Sequence, residues 1–511
     1  SYASLWLMAP GESIIAPEVA WGASAYAYWS GTSMSTPEVA GAVALLDAAW
    51  PILKTNGGAP AILFASATDL GAKGVDSTFG NGLLNIAKAF QPVGTLSVGT
   101  VTGASVPVSS PPGSTVAGSA FGTMPALKGL LSHYTAFDAY RRNFTVNLSG
   151  MITSQSTLPQ ALASQAAPIN AATRTLANGA HLTVAFSDLS HYDLASATPG
   201  LQLTELGAAP REAGAFYLSL TTAGGSVVSA GRGLPSTASF ANAMWGEGSA
   251  DAYQADQLGV SNSLMGLAQG GLFASLGTSI TPRARIAASW TSTPTPSVWN
   301  LAMNNSQRQS SAFTVGMSYK VTARLSGGVT ISSLDERNGL LGSVYSQGGP
   351  LGLGSEHRSA SAAATWSYDL GGGRGLLIDG VLAKTSGAAV NSGLVASVSP
   401  IVERAYGASI VQADAFRYGD RLSLSVTKPL KVIGGSAQVL TAGVNDQGYP
   451  VYNFARADLR PNGDETDFGV GYRAALHGGM ALSTALDYRA QAYNVSGLDD
   501  VRARVSFSMG F

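Results

Sequence analysis

The stretch Val501-Arg502-Ala503-Arg504-Val505-Ser506-Phe507-Ser508-Met509-Gly510-Phe511 decides the fold. Every second residue, from Val501 through Val505, Phe507 and Met509 to Phe511, is apolar. Arg502, Arg504, Ser506, Ser508 and Gly510 alternate with them. A period of two assigns successive side chains to opposite faces of a strand. Arginines on one face and apolar groups on the other suit a barrel whose outside meets lipid and whose interior is polar.

The same dyad recurs upstream. Leu482, Thr484, Leu486 and Tyr488 alternate with Ser483, Ala485, Asp487 and Arg489, and Phe468, Val470 and Tyr472 alternate with Asp467, Gly469 and Gly471. Leu422 to Val426 and Phe313 to Tyr319 repeat it. Further candidates are 271–281, 283–293, 323–333, 357–370, 374–386, 403–415 and 434–444, which makes twelve strands; strand-like residues 213–222 leave fourteen as the alternative. An even antiparallel count closes a barrel without an unpaired edge, as hydrocarbon requires. A soluble sandwich also alternates. The aromatic residues Trp290, Tyr319, Trp366, Tyr472 and Tyr488 suit interfacial girdles and favour the membrane barrel. Ending on Phe511 resembles the C-terminal signature of bacterial outer-membrane proteins, which their insertion machinery recognises.

Composition narrows the class. The chain has 511 residues, too many for one ordinary domain. Its net charge is -1 without a basic run, which gives no footprint for nucleic acid. It has no cysteine, so disulfides and thiolate metal sites are excluded, and no cofactor or metal is expected. No run of about 18 apolar residues occurs, so any membrane span must use strands.

A second stretch carries chemistry: Ser30-Gly31-Thr32-Ser33-Met34-Ser35-Thr36-Pro37. Gly31-Thr32-Ser33 is also a plausible capping turn, since Ser and Thr are preferred at helix starts. The near-continuous apolar or small run Val39 to Leu46 predicts a helix buried on every side, ended by Pro51. The whole stretch resembles the nucleophile motif of the subtilisin-like serine proteases, with Ser33 as nucleophile. Leu7 to Gly11 and Ile14 to Ala16 resemble the strand and turn before that serine. Ala59 to Ala67 predicts a short helix, followed by the turn Thr68 to Gly71. Phe79-Gly80-Asn81-Gly82-Leu83-Leu84-Asn85 resembles the element that closes the domain before a last helix, Ile86 to Phe90. The resemblance implies acyl transfer on polypeptide substrates, with the Ser33 backbone N–H contributing to the oxyanion hole.

Only the C-terminal part of such a domain is matched. The family orders its catalytic residues Asp, His, oxyanion Asn, Ser, and the 32 residues before Ser33 contain no Asp, His or Asn. All five histidines, His133, His181, His191, His357 and His477, follow it and read as ordinary surface, loop or lumen residues. Glu38 stands where the family commonly carries His. In subtilisin, losing the serine or histidine alone costs on the order of a million-fold in turnover, so the chain by itself is expected to be inactive.

Between the two, Gln91 to Thr123 reads as a Gly/Ser/Pro connector, Leu127 to Val146 as an apolar helical stripe, and 157–175 as helical. Strands are expected at His181–Ser187, Leu201–Leu206 and Phe216–Thr222. The fold class is therefore mainly β: a truncated α/β subtilisin-like part (1–90), a connecting region (91–235) and an antiparallel outer-membrane β-barrel (236–511). The combination resembles the autotransporters, whose barrel exports an N-terminal passenger to the cell surface. The resemblance implies a bacterial outer-membrane location, lipid around the barrel, and a linker helix in its lumen, with Phe240–Trp245 or Ser261–Ala268 to supply it. A non-enzymatic barrel protein carrying an inactive protease remnant is the competing reading.

Overall fold

The computed structural model describes every residue except 1, 23, 109–114, 155–169, 187–215, 234–235, 247–248, 250–254, 256–258, 294–307, 346–350, 476–479 and 511. Two compact units result: Ser1–Pro111 with Leu131–Leu148 and Leu440–Ala455, and Pro112–Leu130 with Ser149–Val439 and Arg456–Phe511.

In the first unit a hairpin of β1 (Ile14–Pro17) and β2 (Tyr26–Trp29) leads into α1 (Thr32–Ala49). Pro51 follows the helix end, where it cannot continue the ladder. Then come α2 (Ile52–Asn56), α3 (Gly58–Ser66) and α4 (Ile86–Ala89), the last capped by Asn85, whose Oδ1 accepts from Lys88 N at 2.9 Å. Ala42, Leu46, Ile52, Leu53, Ile62, Leu63 and Ala89 form one core. The helix α1 is not buried on every side as expected. Ala42 and Leu46 are covered, whereas Leu45 is 53% exposed. Among the described residues its second apolar side has no partner layer.

Residues 127–146 also depart from the helical reading. A helix α5 covers Pro125–Leu131, but Tyr134–Phe137 and Asn143–Val146 pair as an antiparallel hairpin. The turn between them is built on Asp138. Its carboxylate accepts from Tyr140 N (2.9 Å) and Arg142 N (3.0 Å), and Arg141 sits at φ 62°. Side chain to backbone bonding of this kind favours a turn over a continuing helix. Ser97–Gly99 and Ser105–Pro107 complete a four-stranded sheet with this hairpin. The fully buried Arg142 bonds the Ala89 carbonyl at 2.6 Å and that of Gln91 at 2.8 Å, pairs with Asp138 at 2.8 Å and lies over the Trp50 ring.

The second unit is dominated by one sheet of fifteen strands. Four strands of six residues come first: β3 (Asn170–Thr175), β4 (His181–Phe186), β5 (Phe216–Thr221) and β6 (Val227–Arg232). Eleven longer ones follow, β7 (Leu272–Thr281), β8 (Ala284–Ser292), β9 (Gln309–Lys320), β10 (Leu325–Arg337) and β11 (Glu356–Gly371) among them. The remainder are β12 (Arg374–Thr385), β13 (Ile401–Ala413), β14 (Arg421–Gly434), β15 (Thr466–Ala475), β16 (Met480–Ala490) and β17 (Asp500–Gly510). These eleven run from 9 to 16 residues, the length a tilted strand needs to cross hydrocarbon. Each pairs antiparallel with its sheet neighbour. The two ends of the sheet meet only at Met509↔Asn170 and Gly510↔Ala171, in parallel. Parallel contact there is the consequence of an odd strand number.

The count therefore differs from the expected twelve or fourteen. Eleven of the twelve expected strands lie in the sheet. The twelfth, 434–444, does not: Ser436–Val444 pairs with Val395–Val398 in a separate four-stranded sheet. Gly435, at φ 134°, redirects the chain after β14, which pairs instead with β15. Residues 170–175, part of the expected helical stretch, form β3. The rest of that stretch, the expected strand at 201–206, and Phe511 lie outside the described residues.

The sheet is inverted relative to a soluble one. On β11, Ala362, Ala364, Trp366 and Tyr368 face out, while Ser359, Ser361, Thr365 and Ser367 are buried inside. On β10, Val329 and Ile331 are exposed (53% and 62%) and Thr330 and Ser332 are buried. Apolar side chains outside and hydroxyls inside are favourable only where the surrounding solvent is hydrocarbon.

Candidate active site

Ser33 is the second residue of α1, just past a tight entry. The chain leaves β2 at Trp29, and Ser30 Oγ accepts from Ser13 N at 3.0 Å. Gly31 N donates to Gly11 O at 2.7 Å, and Gly31 adopts φ 145°, a value glycine tolerates. A Cβ on Gly11 would lie 2.3 Å from Ser35 Oγ and 3.0 Å from Gly31 O, so the Pro10-Gly11 turn and the serine loop fit only with glycine there. At this position the Ser33 N–H precedes the first i−4 acceptor and is one of the orphan donors at the positive end of the helix dipole. Pro37, one turn on, has no N–H for the Ser33 carbonyl, and Thr36 Oγ1 bonds Thr32 O at 2.9 Å. Of these groups only the Ser33 N–H is a donor free to face an anion, beside an accessible hydroxyl.

The rest of the matched segment braces this loop. Met8 N donates to Gly82 O (2.8 Å) and Leu84 N to Met8 O (2.7 Å), tying the strand before the turn to the closing element. Asn81 Nδ2 bonds the carbonyls of Ser4 (3.1 Å) and Trp6 (2.9 Å). Gly80 at φ 63° lies against the Trp6 ring, where a Cβ would collide. Asp76 accepts from Thr78 N and Phe79 N, both at 2.7 Å. These bonds, with one from Ala72 N, hold its carboxyl below the usual range.

Ser33 is exposed, and among the described residues no hydrogen bond reaches its Oγ. The described histidines are engaged elsewhere. His133 Nδ1 contacts Ser132 Oγ (2.9 Å), His181 Nδ1 contacts Thr175 Oγ1 (3.1 Å), and His357 Nε2 contacts Leu353 O (2.9 Å). His191 and His477 lie outside the described residues. An exposed serine hydroxyl and a free helix-start N–H thus lie on one residue, and no described histidine bonds that hydroxyl.

A second arrangement of functional interest lies inside the large sheet. Helix α6 (Ser236–Trp245) packs on the inner faces of β7 and β8, with Phe240, Ala243 and Met244 buried against Met265 and Ala287. Its polar side joins a hydroxyl chain: Ser239 Oγ bonds Ser229 Oγ (2.5 Å) and Ser275 Oγ (3.0 Å), and Ser275 continues to Ser289 (2.8 Å). Its C-terminal carbonyls are satisfied by Arg285 Nη2 on Ala243 O (3.2 Å) and Ser318 Oγ on Met244 O (2.7 Å). Inward glycines give it room. A Cβ on Gly277 would sit 2.0 Å from Ala243 O, and one on Gly328 would sit 2.6 Å from Met244 Cε. The next segment carries α7 (Ser263–Gly266), held by Ser261 N on Asp379 Oδ2 (2.7 Å), Thr291 Oγ1 on Ala268 O (3.1 Å) and Arg308 Nη2 on Leu267 O (2.7 Å). Of the two stretches named as linker-helix candidates, Phe240–Trp245 lies in α6 inside the sheet, and Ser261–Ala268 is helical only over Ser263–Gly266. Sequence reading expected inward small residues such as Gly469 and Gly471 to make room in the lumen and set Ser318 on the polar face, but it did not single out Arg285, Gly277 or Gly328. Their only signal was glycine recurring at inward positions of successive strands.

Residues 1–82 match the family model described as the Subtilase family, Peptidase_S8. No curated protein matches the chain. Among solved structures, the high-pH structure of OprB from Pseudomonas putida is 13% identical, with a TM-score of 0.31, covering 65% of this chain and 82% of its own. The CymD monoaromatic hydrocarbon channel is 11% identical, with a TM-score of 0.25, covering 67% and 86%. The N-terminal 82 residues thus resemble the Subtilase family and are joined in one chain to a mainly β body.

Proposed function

We propose that this chain is the C-terminal part of a subtilisin-like serine endopeptidase autotransporter, with the β-barrel serving as outer-membrane translocator and anchor for the protease passenger. The observation that carries this reading is the inverted sheet with α6 packed inside it: an apolar outside suited to lipid, a hydroxyl-lined inside, and a polypeptide already occupying the interior. In the complete enzyme Ser33 attacks the scissile carbonyl of a polypeptide, and its backbone N–H stabilises the oxyanion. The base and its orienting carboxylate come from another segment. The N-terminal part then lies at the cell surface or is secreted, and the barrel is assembled by the insertion machinery reading Phe511. The exposed, unbonded Ser33 Oγ supports the second reading, an outer-membrane barrel carrying an inactive protease remnant.

Two measurements test this. Extracted from outer membranes, the chain migrates faster on a gel unheated than boiled; a soluble chain without this shift refutes the barrel. A fluorophosphonate probe leaves Ser33 of the chain alone unlabelled, and labels it when a segment bearing the family's Asp and His motifs is supplied. If labelling still fails in that mixture, the protease reading gives way to the remnant reading.

A further inference from the structure

At the rim of the large sheet where connections are long, three arginines are paired: Arg308 with Glu336 (2.9 Å), Arg337 with Glu356 (3.5 Å) and Arg358 with Asp335 (2.9 Å), while Lys384 and Arg404 form no ion pair among the described residues. At the opposite rim the strands are joined by short turns. Three successive turns, between β7 and β8, β9 and β10, and β11 and β12, carry Arg283, Lys320, Arg324 and Arg374, all exposed. None of the four forms an ion pair among the described residues. The turns are tied side by side, Lys320 N donating to Arg283 O and Asp369 N to Arg324 O, both at 2.8 Å. Successive hairpins therefore place the backbones of Arg283, Arg324 and Arg374 about 10 Å apart, two strand spacings, with Lys320 one strand from Arg283. One carboxylate lies on these turns, Asp369, and its Oδ1 accepts from Gly371 N at 2.8 Å. Directly below the charges lies exposed apolar surface: Ile280, Tyr319, Val321, Tyr368 and Leu370.

Four cations against one carboxylate, at the edge of a lipid-facing band, are complementary to the phosphates at a bilayer surface. We propose that this short-turn rim is a docking surface for the headgroups of anionic phospholipids. The inference rests on the membrane-barrel reading above. Short turns lie on the periplasmic side of outer-membrane barrels, which assigns the surface to the inner leaflet. The arginines on the turns contact headgroup phosphates as charge-assisted donors, while the aromatic and aliphatic groups below hold the acyl boundary. The arrangement fixes the depth and tilt of the barrel on this side, whereas the paired Arg337 and Arg358 of the other rim add little attraction.

The test uses the full chain reconstituted in vesicles of phosphatidylcholine with 30% phosphatidylglycerol, an amount on the order of the anionic content that gives a membrane its surface potential. Native mass spectrometry counts the two lipids retained on the protein. The triple variant Arg283→Gln, Arg324→Gln, Arg374→Gln is compared with a control pair at the other rim, Arg337→Gln, Arg358→Gln. The wild-type chain should retain phosphatidylglycerol preferentially, and the triple variant should lose that preference by about fivefold for each cation removed, less at high salt. The control pair should leave it unchanged. Gel heat-modifiability of every sample reports insertion independently. Inserted protein that retains both lipids equally, or a triple variant that keeps the wild-type preference, overturns the docking surface and leaves the barrel standing. Protein that never becomes heat-modifiable in either lipid overturns both.

Discussion

Replacing Gly277 on β7 by valine tests whether α6 is held inside the sheet by the contacts described. The new Cβ would stand 2.0 Å from Ala243 O and 2.5 Å from Ala243 C. A carbon and a carbonyl oxygen rest at about 3.3 Å or more, so the helix end must retreat by more than about 1 Å. Retreat of that size breaks the 3.2 Å bond from Arg285 to Ala243 O and strains the 2.7 Å bond from Ser318 to Met244 O. A bond from a charged donor is worth about 1.5–3 kcal/mol and a neutral one about 1, so helix docking should weaken by about 2.5–4 kcal/mol. The chain has no cysteine, which allows a single reporter, Ala241→Cys, on a residue that is 2% exposed. If labelling follows transient opening, an impermeant maleimide should react roughly a hundredfold to a thousandfold faster in the Gly277→Val background. Gly380→Val is the control, since its Cβ meets nothing closer than 3.9 Å. Unchanged labelling in heat-modifiable Gly277→Val protein, or equal acceleration by Gly380→Val, would refute the reasoning.

Other outcomes follow from the first unit. Arg142→Met leaves Asp138 buried without its cation and should cost about 3–5 kcal/mol, read as loss of protease resistance of residues 86–146; resistance equal to wild type would show that the pair is not structural. Asp76 has a depressed pKa, so its contribution is present above the ordinary carboxylate range, about 3.9, and is lost as pH falls through the lowered folded value. Hydrogen exchange of the 72–80 turn should accelerate as pH falls below that range beyond the intrinsic trend. Asp76→Asn should remove the pH dependence, and a dependence that survives the substitution argues against this carboxylate.

How much of this was legible depends on how local each determinant is. The alternation at Val501 and Val505, and along strands such as β10 and β11, specified which side chains face out, because the strand period is intrinsic to the backbone. The Ser33 loop was legible for a similar reason: glycines, a helix start and Pro37 impose their geometry within a few residues. Partner choice was not. Residues 436–444 alternate like their neighbours, yet they join another sheet, since periodicity carries no information about which edge a strand meets. The 127–146 stripe had helical spacing, and the Asp138 carboxylate turned it into a hairpin.

The residues alone set the alternating faces of the strands, marked the Ser33 loop as resembling a nucleophile motif and showed no Asp, His or Asn before it. Only the tertiary structure decided the rest: the fifteen-strand count, the two-pair seam, the glycine bed under α6, the anchoring of Arg142 and the unequal rims. Each of these is a relation between residues tens or hundreds of positions apart. Such relations are fixed by packing volume and by the need to satisfy buried polar groups, neither of which any single segment encodes.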